Sequence, residues 1–222
     1  MRVLIGYSTS TETLHAFQQL GHDVWTCDLL PAKHGNHMQC DIWEVVHDNW
    51  DLGIFHPMCT YLTVSAAWAF SDPNYERYPE SGYHQRVKSG TLVGEARRKA
   101  REEAIENFKR LDALPYPHAI ENPAPSFISS MYKKPTQTIQ PYEFGDNASK
   151  RTGLWLHKLP KLVPTNRVSG RLVQHGGKIV ERWENQTDSG QNRLSPSKDR
   201  WLERSKTYPG IAAAMGVQWG NI

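Results

Sequence analysis

Cysteine is scarce in this chain, with three residues (Cys27, Cys40, Cys59) in 222. A small, odd number argues against a disulfide frame and for thiols kept reduced in a cytoplasm. No apolar run approaches the roughly 18 to 20 residues that span a bilayer, so no membrane partner is expected. Met1 to Gly6 is too short and too soon interrupted for a secretory signal. Internal repeats and low-complexity tracts are missing, and no obligate protein partner is inferred. A strong excess of one charge is missing too. With 26 Lys and Arg against 23 Asp and Glu, the net charge of +3 permits a polyanionic partner without demanding one. What is present, 38% hydrophobic and 22% charged residues, is the composition of a soluble globular protein. The length suits one α/β domain with a sizeable core, alone or with a small appendage.

Arg2 to Gly6 reads as a buried strand. Ser8, Thr9, Ser10 and Thr11 follow as helix N-cap candidates, with Glu12 just beyond. A helix over Glu12 to Leu20, closed by Gly21, and a strand from Asp23 to Asp28 complete a βαβ unit. His37 to Asp41 is a short third strand, and Ile42 to His47 a helical turn or two. Asp51 to Phe55 is a fourth strand, stopped by His56-Pro57 because proline removes a ladder donor and fixes its own φ. Residues 71–94 have no period and read as a long loop, either a lid or an ordered crossover. Glu95 to Leu111 is the clearest helix, with Ala96, Ala100, Ala104, Phe108 and Leu111 inward and Arg97, Arg98, Lys99 and Arg101 solvated. Strands are expected at His118 to Ile120, running into Glu121-Asn122-Pro123, and at Gly153 to Leu156. A final helix runs from Tyr208 to Trp219.

The fold class that follows is α/β, a Rossmann-like, doubly wound and mostly parallel sheet. Three parts are expected: a core over 1–162, a small basic extension without a core of its own over 163–206, and a C-terminal helix over 207–222 that returns to the core. In the extension, Arg167, Arg171, Lys178, Arg182, Arg193, Lys198, Arg200 and Arg204 are interleaved with Trp183 and Trp201. That charge suits a nucleic-acid backbone or a phosphate, or equally a solvated surface loop.

Open α/β sheets place their chemistry outside the carboxyl ends of the strands. Ser8 to Thr11, Asp28, Asp41, Cys59 and Glu121 all fall at such ends. A carboxylate after the second strand suits a ribose hydroxyl, and one after the third can accept from the exocyclic amine of adenine. Together they point to an adenosine-containing cofactor, although each aspartate alone also reads as a turn residue or helix cap. Cys59 reads either as a nucleophile or as a small buried hydrophobe. Cys27, His34, His37 and Cys40 have spacings open to zinc, but His34-Gly35-Asn36-His37 reads as a plain turn, and no metal is expected.

Four blocks in chain order carry a resemblance: Pro57-Met58-Cys59, Glu121-Asn122-Pro123, Phe144-Gly145 through Lys150-Arg151, and Tyr208-Pro209-Gly210-Ile211-Ala212. They resemble the signature blocks of cytosine-C5 methyltransferases. The likeness is greatest to the short phage and prophage proteins of that kind, through His56-Pro57-x-Cys59-Thr60-Tyr61-Leu62, Cys27-Asp28-Leu29-Leu30-Pro31 and Leu154-Trp155-Leu156. The resemblance implies a methyltransferase core and a host cytoplasm. It also implies a cytosine substrate, in DNA or as a nucleotide, and S-adenosylmethionine or a modified analogue as donor. By the same likeness Cys59 adds at C6, Glu121 holds the N3 and N4 edge and donates to N3, Asn122 orients the loop, and Lys150 supplies positive charge. The cofactor would be bordered by the first turn (Gly6, Tyr7, Ser8, Thr9, Ser10, Thr11), by Asp28-Leu29 and Asp41-Ile42, and by Pro57. His56, Thr60, Pro123, Arg151, Arg167 and Tyr208 would border the substrate. The chain departs from the pattern at Met58, where the family has proline, at Thr11 and Ser8 in the first turn, and at Thr152, where the family has an arginine. A donor other than S-adenosylmethionine, or a non-catalytic nucleic-acid-binding module on the same fold, fits these departures as well.

Overall fold

The computed structural model describes residues 1–195 and 206–222. The expected basic positions Lys198, Arg200 and Arg204, with Trp201, lie outside the described residues. Seven strands form the central sheet: β1 (Arg2–Gly6), β2 (Asp23–Cys27), β3 (His37–Met38), β4 (Leu52–Phe55), β5 (His118–Pro123), β6 (Gln137–Ile139) and β7 (Thr152–His157). Their order is β3-β2-β1-β4-β5-β7-β6. β3, β2, β1, β4 and β5 are mutually parallel, and β7 runs antiparallel to both β5 and β6. The chain is therefore a mixed α/β protein with a mostly parallel sheet, compatible with a Rossmann-like fold. Strand order reverses between β1 and β4, and a crevice forms at such a switch point.

Side-chain alternation along the strands sorts the core into two layers. Val3, Ile5, Leu52, Ile54 and Ala119 face one side. There they pack with Leu14 and Phe17 of α1 (Glu12–Gln18) and with Ile211, Met215 and Trp219 of α5 (Pro209–Trp219). Leu4, Phe55, Ile120 and Trp155 face the other side, against Ile105, Phe108 and Leu111 of α3 (Gly94–Asp112), with Ile42 of α2 (Ile42–Val45) and Ile128 of α4 (Ile128–Met131). Nearly all are fully buried, and each contributes roughly 1.5–3 kcal/mol by leaving water.

The inward face of α3 differs from the expected one. Ala96 is exposed, whereas Arg97 is buried along with Ile105, Phe108 and Leu111. A 3-10 helix at Val64–Phe70 and the 71–94 segment cover this end of the helix, and the guanidinium of Arg97 lies over the Phe70 and Tyr61 rings (4.8 and 5.4 Å to their centroids). The 71–94 segment is held down by its own contacts. Buried Tyr83 donates to Ser71 O (2.9 Å) and packs edge-on against Trp68, and Asp72 pairs with Arg98 (3.0 Å). It is an ordered crossover from β4 to α3. The extension contains a hairpin of β8 (Arg171–His175) and β9 (Lys178–Arg182), turned at Gly176-Gly177 with φ of 58° and 76°. Two left-handed residues are what a tight type I′ turn requires.

Candidate functional site

Residues 56–63, directly after β4, form the loop that carries Cys59, and four elements pin it. His56 N donates to Gly6 O of β1 (3.0 Å), and Asn122 Nδ2 of β5 donates to Pro57 O (3.1 Å). Arg97 Nη2 of α3 donates to Thr60 O (3.1 Å), and Phe127 N donates to Leu62 O (2.7 Å). Cys59 O accepts from both Leu62 N and Thr63 N, closing a turn around the cysteine. Cys59 itself is half-buried and outside any disulfide, and its neighbour Met58 is exposed. The backbone hydrogen bond that a proline at position 58 could not have made is thus not what orders this loop. The order comes from backbone bonds to β1 and Phe127 together with side chains reaching in from β5 and α3.

Glu121 is reached by the strand register. Phe55 of β4 pairs with Ile120 of β5, so the next residues, His56 and Glu121, lie side by side on the same face. His56 Nδ1 is 3.1 Å from Glu121 Oε2, and Lys150 Nζ, just ahead of β7, is 3.6 Å from Oε1. The Glu121 side chain is only 10% exposed. Burial pushes its carboxyl pKa up, but Lys150 and His56 outweigh that and hold it down at about 2. Glu121 is therefore a carboxylate between the Lys150 ammonium and the His56 imidazole, an acceptor rather than an acid with a proton of its own. Lys150 is anchored in turn on Lys206 O (3.1 Å). Pro123 closes β5 opposite Thr152, which is buried and bonded to Lys150 O, so Thr152 serves the strand and not the charge cluster.

The first turn departs from a glycine-rich one in an informative way. Tyr7 adopts φ 58°, the left-handed conformation usually left to glycine. Its side chain turns away toward α3, where its hydroxyl and Trp43 Nε1 both donate to Asn107 Oδ1 (3.1 and 3.0 Å). Burial pushes the Tyr7 phenol up to about 12. Gly6 is required by close packing, since a Cβ there would come within 2.7 Å of the Phe55 ring. Ser8 Oγ accepts from Ser10 N (3.1 Å), Ser10 Oγ bonds the Glu12 carboxylate, and Thr11 is the N-cap of α1 without a side-chain cap bond; Thr9 is half-buried in the same turn. Asp28 Oδ1 accepts from Leu30 N (2.9 Å), with Leu29 exposed. Asp41 caps α2 through Trp43 N (2.9 Å), next to buried Ile42. Each aspartate thus performs a local turn or cap task, Asp41 through a capping box with Glu44. His37 bonds Thr26 Oγ1 (2.8 Å) and Leu30 O (2.9 Å) through its two ring nitrogens, which commits it to the turn rather than to a metal.

On the opposite side of the cluster, Arg151 is exposed. Tyr208 is the N-cap of α5, its hydroxyl accepting from Asn185 Nδ2 (3.4 Å). The blocks at Phe144 and Tyr208 meet directly: Gly210 N donates to Asp146 Oδ2 (3.0 Å), and a Cβ on Gly210 would overlap Phe144 O at 1.9 Å. Arg167 does not join the cluster. It pairs with Glu181 of β9 (2.5 Å), as Arg171 pairs with Asp188 (2.5 Å), so these two arginines neutralise the extension internally. Two surface grooves, along Lys99–Arg110 of α3 and between α1 and α5, hold none of the expected site residues. Charged groups and a thiol converge instead past the carboxyl ends of β4 and β5. Arg97 escaped sequence reasoning, since nothing in a helical wheel marks one of several arginines as buried. The chain matches no protein-family model and no curated protein.

Proposed function

We propose that this chain is a cytosine-C5 transferase of the methyltransferase kind, acting in a reducing cytoplasm on cytosine in DNA or in a nucleotide. The observation that carries this reading is the adjacency of two strand ends. The Cys59 loop follows β4, and the ionised Glu121 lies in the last half of β5 beside it, flanked by His56 and Lys150. C5 of cytosine is a weak nucleophile, and a thiolate added at C6 turns the ring into an enamine that can attack an electrophilic carbon. Cys59 would supply the thiolate, and the carboxylate of Glu121 would accept from the N4 amine and fix the ring edge. Asn122, through Pro57 O, and Arg97, through Thr60 O, would hold the loop against the ring. We read the sheet, with its reversed β7, as a methyltransferase-like variant of the Rossmann arrangement.

S-adenosylmethionine fits the residues at the other strand ends. The left-handed Tyr7 opens the first turn without glycine, and the carboxylates of Asp28 and Asp41, just past the second and third strands, would meet a ribose hydroxyl and an adenine amine. When bound, that donor supplies an electrophilic methyl group. The test is incubation with methyl-labelled S-adenosylmethionine and either DNA or dCMP. Label should enter one of the two substrates and be lost in C59A, and absence of label from both would remove the reading.

A further inference from the structure

An ionised Glu121 changes which group can protonate the ring. Addition of sulfur at C6 pushes electrons onto N3, and that nitrogen needs a proton as the bond forms. A carboxylate has none to give. Resting on the pyrimidine-transferase reading, we propose that His56 is the proton reservoir of the site, delivering through Glu121 to N3 while Cys59 adds at C6. Four observations converge on this assignment. His56 and Glu121 are neighbours by strand register, with Nδ1 3.1 Å from Oε2. Both side chains are nearly sealed from water, at 14% and 10% exposure, so bulk solvent does not compete for the transfer. His56 Nε2 and Glu121 Oε2 are both buried without a hydrogen-bond partner among the described residues, and the 3.1 Å approach of Nδ1 to Oε2 is the polar contact that the imidazole and the carboxylate offer each other. The backbone on both sides of the ring is fixed, by His56 N on Gly6 O and by Asn122 on Pro57 O. Lys150, 3.6 Å from the other oxygen and tied to Lys206 O, is the counter-charge. An ammonium holds its proton about 4 pH units more tightly than an imidazolium.

The step balances. The Sγ–C6 bond forms from the thiolate pair, the C5=C6 pair becomes C4=C5, and the C4=N3 pair moves onto N3. One proton leaves Nδ1 for Oε2 and passes from Oε2 to N3. His56 ends neutral, Glu121 ends as it began, and elimination of the cysteine reverses the path.

The test measures release of tritium from [5-³H]dCMP and from [5-³H]cytosine-labelled DNA, which reports C6 addition without any methyl donor. The charged groups facing His56 among the described residues are Glu121 from β5 and, behind it, Lys150, while Cys59 lies on the same loop. Wild-type protein should lose rate on the alkaline side as His56 deprotonates. H56Q and H56N should release tritium on the order of 100-fold more slowly and without that alkaline limb, while iodoacetamide still alkylates Cys59 at the wild-type rate. A wild-type rate or a retained alkaline limb in both His56 variants would overturn the relay. Absence of tritium release by wild-type protein from either substrate would remove the pyrimidine reading and the delivery role with it. Release by wild-type protein with unaffected His56 variants would remove the delivery role alone.

Discussion

The charge of one side chain decides what the site can do. Glu121 is buried, yet Lys150 and His56 depress its pKa to about 2. A carboxyl whose folded pKa lies below its unfolded value, near 4.3, adds stability that is fully present above that value and is lost as pH falls toward 2. The size is on the order of 3 kcal/mol. Urea unfolding of wild-type protein and E121Q across pH 6 to 2 should therefore converge: E121Q is the less stable near neutrality and loses less on acidification. Parallel pH dependences would contradict the ion cluster. Cys59 and Glu121 were legible in the sequence as strand-end residues, because an apolar run ended by His56-Pro57 and another ended by Glu121-Asn122-Pro123 mark where two strands stop. The contact of His56 with Glu121 was not, since the register of two parallel strands 65 residues apart leaves no local trace.

Among the elements, α3 does two jobs. Phe108 and Leu111 anchor it to the sheet, and Arg97 reaches under Phe70 to hold the Thr60 carbonyl beside the cysteine. R97M would keep much of the stem packing and leave that carbonyl without its donor. We expect a stability loss of about 1–3 kcal/mol and a several-fold change in the rate of Cys59 alkylation, with R97K recovering part of it. An alkylation rate equal to that of wild type would show that Arg97 does not set the loop. The helix itself was legible from its period and length. Its buried face was misjudged because alanines at 96, 100 and 104 make only a weakly apolar stripe, and cover from the 71–94 segment overrides it. The four-residue α4 and three-residue β6 are too short to print a period at all.

At the scale of the whole molecule, the parallel order of β1 to β5 followed from the βαβ rhythm, whereas the reversal of β7 depends on tertiary pairing with β5 and β6. The extension is fastened to the core by the Trp183 ring stacked on Tyr142 at 3.8 Å and by paired bonds between Asn185 and Ser149 (2.9 Å each). W183A should cost about 3–5 kcal/mol if the extension and core unfold together, and limited proteolysis should then cut within 163–195 first. Unchanged stability and an unchanged cleavage pattern would mean that the stack does not hold the extension. Internal pairing of Arg167 and Arg171 explains why the net basic character of this stretch in sequence overstates the charge it presents outward.

The central claim is that a thiol after β4 and a carboxylate at the end of β5 act on opposite edges of one pyrimidine ring. The most direct measurement is mass spectrometry of the protein after incubation with S-adenosylmethionine and either 5-fluoro-dCMP or DNA containing 5-fluorocytosine, which blocks release of the C6 adduct. The account predicts a covalent adduct on the peptide containing Cys59, absent in C59A and strongly reduced in E121Q. No adduct from either substrate, or an adduct on Cys27 or Cys40 instead, would contradict it.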